Sequence, residues 1–289
     1  MTRIALATSA KYPDLTEDDR LLLQPLAAWG LDACPAIWTD ANFRWSSCDA
    51  VVIRSCWDYH LKSKEFLLWI AHLETAGVVV LNRPALLRWN TSKIYLRDLE
   101  SRGVAIVPTV WPEPGPRVSL RDELKKIGWQ KAVIKPRISA TAHRTQLVSQ
   151  DTARSAQDLF DELRNGVGVM LQKFVDSIAV EGEWSLIFFN LVFSHGVLKT
   201  PRLGDFRVQN DFGGSSRIAE PPACAIESAN RILRLLESTV YARVDGVVED
   251  GQFLLMELEL IEPALFLDGH AEAPARFANA IQQSISTHR

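Results

Sequence analysis

Short apolar runs and amphipathic stretches alternate through the first hundred residues, and this alternation constrains the fold more than any other feature. A chain that switches between the period of a strand and that of a helix favours a parallel sheet covered by helices. We therefore predict an α/β lobe with a βαβαβ order. The predicted elements are Arg3–Ala7, Asp18–Trp29, Ala50–Arg54, Ser63–Ala76 and Val78–Leu81.

Next we predict a helix that carries Lys93 (91–103) and a strand (104–107). The segment that follows, 108–116, contains four prolines and one glycine, which is the composition of a linker. Beyond it, helices are predicted at 119–127, 152–163 and 226–236, and strands at 132–135, 169–173, 184–193, 196–200, 241–248 and 253–261. We predict an N-terminal domain (1–88), a connecting helix and strand (89–109), a small lobe (110–175) and a large lobe (176–289).

Composition narrows the class of partner. A formal net charge of -3 over 289 residues provides no broad basic surface, which argues against nucleic acid or an anionic membrane as the partner. No apolar run reaches membrane-spanning length. The four cysteines lack metal-ligand or CxxC spacing, as expected for a reduced cytoplasmic protein. The sequence therefore favours a small-molecule partner.

Acidic residues cluster on the last two predicted strands, which Glu249-Asp-Gly251 joins as a hairpin turn. Alternation along a strand points Glu257 and Glu259 to the same face, and Asp245 lies on the preceding strand. An exposed strand face would also accept glutamates. Three converging carboxylates would repel one another without a cation, however, so we predict a Mg²⁺ site at these three residues.

A lysine closes the apolar strand that ends at Lys135. Such a lysine usually faces solvent. A nucleotide site is favoured instead by Lys93, by the hinge-like residues Gln172, Lys173, Phe174 and Val175, and by Glu181 shortly after them. Adenine needs backbone hydrogen-bond partners and apolar walls, and ribose needs a carboxylate.

These motifs, taken in order, resemble the ATP-grasp superfamily, in the branch of glutathione synthetase, the ribosomal-protein glutamate ligase and the synthetase that closes the cycloserine ring. The resemblance covers nearly the whole chain. It implies an ATP-grasp fold that binds ATP between its small central lobe and its C-terminal lobe, with two Mg²⁺ ions and Mn²⁺ as an alternative. It also implies that Lys93, Lys135, Gln172 and Val175 contact the nucleotide and that Glu181 holds the ribose.

The segment 199–217 is dense in cations and glycine. A charged surface loop is one interpretation. The other is that cations meet the charge that spreads over the oxygens during phosphoryl transfer, and the resemblance favours it. We predict catalytic roles for Lys199 and Arg207 and substrate binding by Arg202.

One departure from the family pattern lies at 137–145, where many relatives carry a glycine-rich loop over the phosphates and this chain has no glycine. Ser139, Thr141 and Arg144 supply hydroxyl and cationic groups there, which is compatible with a lid of altered chemistry.

The apolar strand at 50–54 leads into Arg54, Trp57 and Asp58. Ligands of open α/β sheets bind at that end of a strand, so we predict substrate binding by these three residues. A packed aromatic ring and an ion pair would explain the same residues.

The sequence thus predicts a ligase that activates a small carboxylate as an acyl phosphate and joins it to an amine or another nitrogen nucleophile. Ring closure within one molecule is included in this prediction. The alternatives are a kinase of the same fold and a nucleotide-binding protein without catalysis. Relatives of this kind are often homodimers or homotetramers.

Overall fold

The computed structural model describes residues 2–202, 207–208 and 212–287. Its first sheet is parallel throughout and has the strand order β2-β1-β3-β4, which confirms the predicted α/β lobe. Its strands are β1 (Thr2–Thr8), β2 (Leu31–Ile37), β3 (Ala50–Ile53) and β4 (Val79–Leu81). The accompanying helices are α1 (Glu17–Arg20), α2 (Leu23–Ala28), α3 (Ser63–Thr75), α4 (Pro84–Asn90) and α5 (Tyr95–Ser101).

Two predicted helices of this region differ from the structure. The helix at 18–29 is divided into α1 and α2, and the helix at 91–103 begins only at Tyr95. Lys93 itself lies in a turn before this helix. Its backbone N–H donates to the carbonyl of Arg137 in the small lobe at 2.7 Å. The predicted strand at 104–107 makes only one bridge, from Ile106 to Leu255.

The second lobe is an antiparallel sheet in the order β5-β8-β6-β7. Its elements are β5 (Thr109–Val110), α6 (Leu120–Ile127), β6 (Lys131–Pro136), β7 (Gln146–Ser149), α7 (Gln157–Asn165) and β8 (Val169–Lys173). The Ser119 side chain caps α6 and Gly128 ends it at φ 74°. Helix α7 begins later than predicted because the Thr152 hydroxyl accepts a hydrogen bond from the Ser149 N–H in a turn.

The third sheet is antiparallel, in the order β11-β10-β9-β12-β13. Its lobe contains α8 (Ile178–Glu181), β9 (Glu183–Phe189), β10 (Val192–Thr200), β11 (Ser215–Ile218), α9 (Ala223–Arg234), β12 (Tyr241–Glu249), β13 (Gln252–Glu259) and α10 (Ala273–Thr287). The predicted hairpin between β12 and β13 is confirmed, with Asp250 at φ 52° and Gly251 at φ 75°. The predicted strand 184–193 is interrupted by a turn at Asn190 and Leu191.

Strand β13 lies at the edge of this sheet, yet side chains from the first lobe and its connection occupy its outer edge. Asn90 donates to the Leu258 carbonyl at 2.8 Å and accepts from the Leu260 N–H at 2.9 Å. The Tyr95 hydroxyl accepts from the Leu258 N–H at 3.0 Å, and Asn82 donates to the Leu260 carbonyl at 2.9 Å. These side chains satisfy backbone groups that a neighbouring strand would otherwise pair.

A shared hydrophobic cluster joins the first and third lobes. Ile4, Leu6 and Val52 of the first sheet belong to the same buried cluster as Tyr241 and Phe277. Across the described part of the chain, no helix combines the length and the apolar character needed to cross a membrane.

Candidate functional site

A cavity of about 590 Å³ lies where the three lobes meet. Its walls include the ends of β6 and β8 in the small lobe, the facing parts of β10, β12 and β13 in the large lobe, and the segments that follow β1 and β3 in the first lobe. Such concave, mixed polar and apolar volumes are typical of small-molecule sites.

One end of the cavity is predominantly apolar. Val133, Val175 and Met256 lie there, with Lys173 and Phe174 in the same wall. Gln172 is buried, and its side-chain oxygen accepts a hydrogen bond from the Lys135 ammonium at 2.7 Å. Burial lowers the pKa of Lys135, although Glu257 and Glu183 oppose that effect. The structure therefore brings together the predicted nucleotide residues Lys135 and 172–175.

Two further predicted lysines reach the middle of the cavity. Lys93 Nζ lies 2.7 Å from the carboxylate of Glu257 and donates to the Ser139 carbonyl at 2.9 Å. Lys199 Nζ lies 2.6 Å from Glu183 and 3.3 Å from Asp245. The charges of these two carboxylates outweigh burial and raise the pKa of Lys199. Both lysine side chains are thus placed to meet a phosphate.

The three predicted metal ligands line the same wall. In the register of the hairpin, Asp245 lies opposite Glu257, and Arg243 lies opposite Glu259. Each acid also has a cationic partner. Glu257 pairs with Lys93, Glu259 pairs with Arg243, and Asp245 pairs with both Arg243 and Lys199. Within residues 2–202, 207–208 and 212–287 the acids are therefore not gathered into a closed set of three ligands.

Asp245 is the most enclosed of the three. It is 3% exposed, and Ser185 donates a hydrogen bond to it at 2.5 Å. Burial would raise its pKa, but Arg243 and Lys199 outweigh burial and lower the pKa of Asp245 to about 2. Asp245 therefore lines the wall with both of its cationic partners, Arg243 and Lys199, already in place.

Glu257 and Glu259 form the part of the donor set that suits a hard cation. Their side chains are 29% and 24% exposed and share one strand face. Lys93 and Lys135 outweigh burial and lower the pKa of Glu257, whereas burial, reinforced by Asp245 and Glu257, outweighs Arg243 and raises the pKa of Glu259 to about 7. A divalent ion would stabilise the charged form of Glu259 in particular, so these two carboxylates fit Mg²⁺.

Arg207 lines the cavity, with its guanidinium 3.7 Å from the centre of the Phe212 ring. Arg202 is exposed and does not lie in the cavity wall, so the structure does not support its predicted contact with substrate. Glu181 is likewise exposed at the end of α8, outside the wall, while Glu183 lines the cavity two residues later. The Glu181-Gly-Glu183 segment offers two glutamates for the predicted ribose contact. The sequence alone did not identify which of the two faces the cavity.

Arg54 corrects another prediction. It is 2% exposed, its Nε donates to Asp19 at 2.8 Å, and its Nη2 donates to the Pro263 carbonyl at 2.9 Å. It does not lie in the cavity wall, so the structure favours the ion-pair interpretation and does not support the predicted contact with substrate.

Trp57 and Asp58 do line the first-lobe end of the cavity. The Trp57 ring packs edge to face against Tyr12 at 5.1 Å, and Asp58 accepts a hydrogen bond from Trp38 at 2.8 Å. Ser9, Tyr12, Phe266 and Glu262 join them in this wall. The sequence did not single out these four residues, since they come from loops at opposite ends of the chain.

The glycine-free loop, residues 137–145, borders the middle of the cavity through Ser139, Thr141 and Ala142. Thr141, Ala142 and Arg144 have φ values of 50°, 51° and 54°, a region that glycine usually occupies. Arg144 forms an ion pair with Glu162, and Lys93 donates to the carbonyl of Ser139. The loop therefore adopts left-handed turns without glycine.

Comparison with known proteins identifies relatives of the whole chain. Residues 4–82 match the family described as D-cycloserine synthetase DcsG, N-terminal domain. The cycloserine biosynthesis protein DcsG of Streptomyces lavendulae is 31% identical, and the match covers 98% of this chain and 98% of that protein.

Solved structures agree with this relationship. The crystal structure of D-cycloserine synthetase DcsG matches with a TM-score of 0.88 and 28% identity, and the match covers 98% of this chain and 99% of that one. The RimK domain protein ATP-grasp from Sphaerobacter thermophilus matches with a TM-score of 0.73 and 18% identity, covering 97% and 99%. The ATP-grasp fold predicted from the order of the motifs is confirmed.

Proposed function

The chain belongs to the family of the D-cycloserine synthetase DcsG, a family of ATP-dependent ligases that form carbon–nitrogen bonds, and on that premise we propose that its substrate is a small amino-acid derivative that closes into a ring. The observation that carries the proposal is the meeting of Lys93, Lys135 and Lys199 with Glu257 and Glu259 in one cavity. Cations for phosphate oxygens and carboxylates for a divalent ion are the groups that phosphoryl transfer requires.

In this mechanism the substrate carboxylate takes the γ-phosphoryl group of ATP, giving an acyl phosphate and ADP. A nitrogen of the same molecule then attacks the carbonyl carbon, and inorganic phosphate leaves. Lys199 and Arg207 hold the transferring group, while residues 172–175 hold the adenine and Lys135 holds the nucleotide. Glu257 and Glu259 would hold Mg²⁺, which would supply electrostatic stabilisation of the phosphate oxygens.

We further propose that the protein binds two Mg²⁺ ions, which Mn²⁺ can replace. We also propose that it is a cytoplasmic homodimer or homotetramer and that it binds no nucleic acid. Light scattering and activity with each metal test them. The lobe boundaries at 88, 109 and 175 are proposals too, supported by the positions of the three sheets at 2–81, 109–173 and 183–259. Limited proteolysis near these boundaries tests that division.

A pooled screen of amino acids, their O-substituted derivatives and amines with Mg-ATP tests the function. Phosphate release together with a cyclised product in mass spectrometry is the expected result. ADP formation with a phosphorylated product would instead identify a kinase. Nucleotide binding without turnover across the screen would identify a binding protein, and either result would overturn the ligase proposal.

A further inference from the structure

Glu262 lies just beyond the end of β13, in the cavity wall that faces the first lobe. The residue is only 8% exposed. Its backbone is held from the first lobe, because the Trp57 indole N–H donates to the Glu262 carbonyl at 2.9 Å and Arg54 donates to the carbonyl of the next residue, Pro263, at 2.9 Å. The position of this acid is therefore fixed by two hydrogen bonds that cross between lobes.

No lysine, arginine or histidine forms an ion pair with Glu262 in the part of the chain that the structure describes. This separates Glu262 from Glu257, Glu259 and Asp245, each of which has a cationic partner. Burial and the neighbouring charge of Glu259 raise the pKa of Glu262 well above its usual range, and Lys93 only partly opposes them. A buried carboxylate of this kind gains most from a cation supplied by a ligand.

The neighbouring walls suit an ammonium group. Trp57, which holds the Glu262 carbonyl, packs against Tyr12, and both rings line the cavity, as does Phe266; aromatic faces attract ammonium groups. Arg243 and Lys199, which also line the cavity, provide cationic groups for a carboxylate. The cavity thus offers an acid for an amine at one end and cations for a carboxylate near its middle.

We propose that Glu262 binds the ammonium group of an amino-acid substrate and so selects amino acids over carboxylic acids that lack the amine. This specificity site rests on the proposed function, since it orients the carboxylate of that substrate toward the phosphates. The α-amine remains bound as a cation and does not serve as the nucleophile.

The test uses two rings as probes, D-cycloserine, which carries the amine, and isoxazolidin-3-one, which lacks it. Calorimetry measures the binding of each to the full-length protein in the presence of Mg-ADP. The native protein should bind D-cycloserine about tenfold to a hundredfold more tightly than the second ring, the range of a charge-assisted hydrogen bond. Glu262→Gln should remove this preference without changing the affinity for Mg-ADP, and Glu262→Asp should retain part of it.

Glu237→Gln is the matched control, because Glu237 is an exposed carboxylate paired with Arg83 at the surface. It should behave as the native protein in every assay. Thermal unfolding of each variant with Mg-ADP reports whether the fold is intact.

The outcomes separate the two proposals. Equal binding of the two rings by the native protein, or an unchanged preference in Glu262→Gln, overturns the ammonium site even if the protein forms a cyclised product. A preference that Glu262→Gln removes, in a protein that forms no carbon–nitrogen bond in the screen, supports the site and overturns the ligase. Failure of both rings to bind overturns the ammonium site as stated.

Discussion

Two walls of the same cavity are built in opposite ways. Strand β13 pairs with β12 along one edge, and Asn90 and Tyr95 occupy the other edge. The loop 137–145 instead turns through three left-handed residues that are not glycine. The strand places its acids by regular alternation, whereas the loop depends on contacts from elsewhere to hold a conformation that its own residues disfavour.

This difference predicts that changes in the strand wall affect chemistry and stability strongly, while changes in the loop have small effects of either sign. The largest effect is expected at Glu257. Glu257→Gln should lower turnover about a thousandfold, because the neutral amide cannot offset a divalent ion as the carboxylate does.

Phosphate release with the substrate identified by the screen measures this effect, and the unfolding temperature with Mg-ADP reports on the fold. Glu249→Gln, at the far end of the same hairpin, is the control and should retain turnover. Near-normal turnover of Glu257→Gln would falsify the metal assignment.

Asn90 tests how firmly the strand wall is held. Asn90→Ala removes two hydrogen bonds and leaves the buried carbonyl of Leu258 and N–H of Leu260 without their partner. We expect a loss of about 3 to 4 kcal/mol in the free energy of unfolding, measured by denaturant titration.

Asn230→Ala serves for comparison, because the Asn230 side chain donates to the carbonyl of Ile226 within its own helix. It should lose less than about 1 kcal/mol. If the two variants were equally stable, the first lobe would not be holding the edge of β13.

His195 tests how much the contact with the segment between β13 and Phe266 contributes to stability. One ring nitrogen of this buried residue lies 3.0 Å from the Leu265 carbonyl, and burial, helped by His270 and Arg276, lowers the pKa of His195 to about 4. The unfolded chain has a histidine pKa of about 6.5 and so binds the proton more readily. Stability should therefore be fully present above pH 6.5 and fall by about 2 to 3 kcal/mol as the pH drops to 4.5.

Denaturant titrations at both pH values, with His195→Gln beside the native protein, measure this contribution. Other acidic groups titrate in both proteins, so the difference between the two slopes isolates the histidine. Parallel pH profiles would show that protonation of His195 is not coupled to unfolding.

The loop should show the smallest effect. Ala142→Gly places glycine at φ 51°, which relieves about 1 kcal/mol of left-handed strain but adds backbone entropy to the unfolded chain. A net gain of at most about 0.5 kcal/mol is expected from denaturant titration.

Ala140→Gly is the matched change at a neighbouring residue outside the left-handed region, and it should lose about 0.5 to 1 kcal/mol. A loss of the same size in both variants would remove the distinction between the loop and the strand wall.

The same difference explains what could be predicted from sequence. Glu257 and Glu259 follow from the period of a strand and the turn before it, so their common face could be predicted. The partner of Arg54 is Asp19, which stands 35 positions earlier, and no local pattern connects them. The inward-facing Glu183 and the isolated Glu262 depend on how three lobes meet, and the turns of the loop oppose local preference.

Asn82 and Asn90, which occupy the outer edge of β13, also limit which lobes can be exchanged between related enzymes. Asn82 and Asn90 belong to the first ninety residues, yet their hydrogen bonds end on Leu258 and Leu260 of the third lobe. The first lobe is therefore not an interchangeable module. A chimera that takes this lobe from a relative needs matching amides at both positions, or a crossover placed beyond Tyr95.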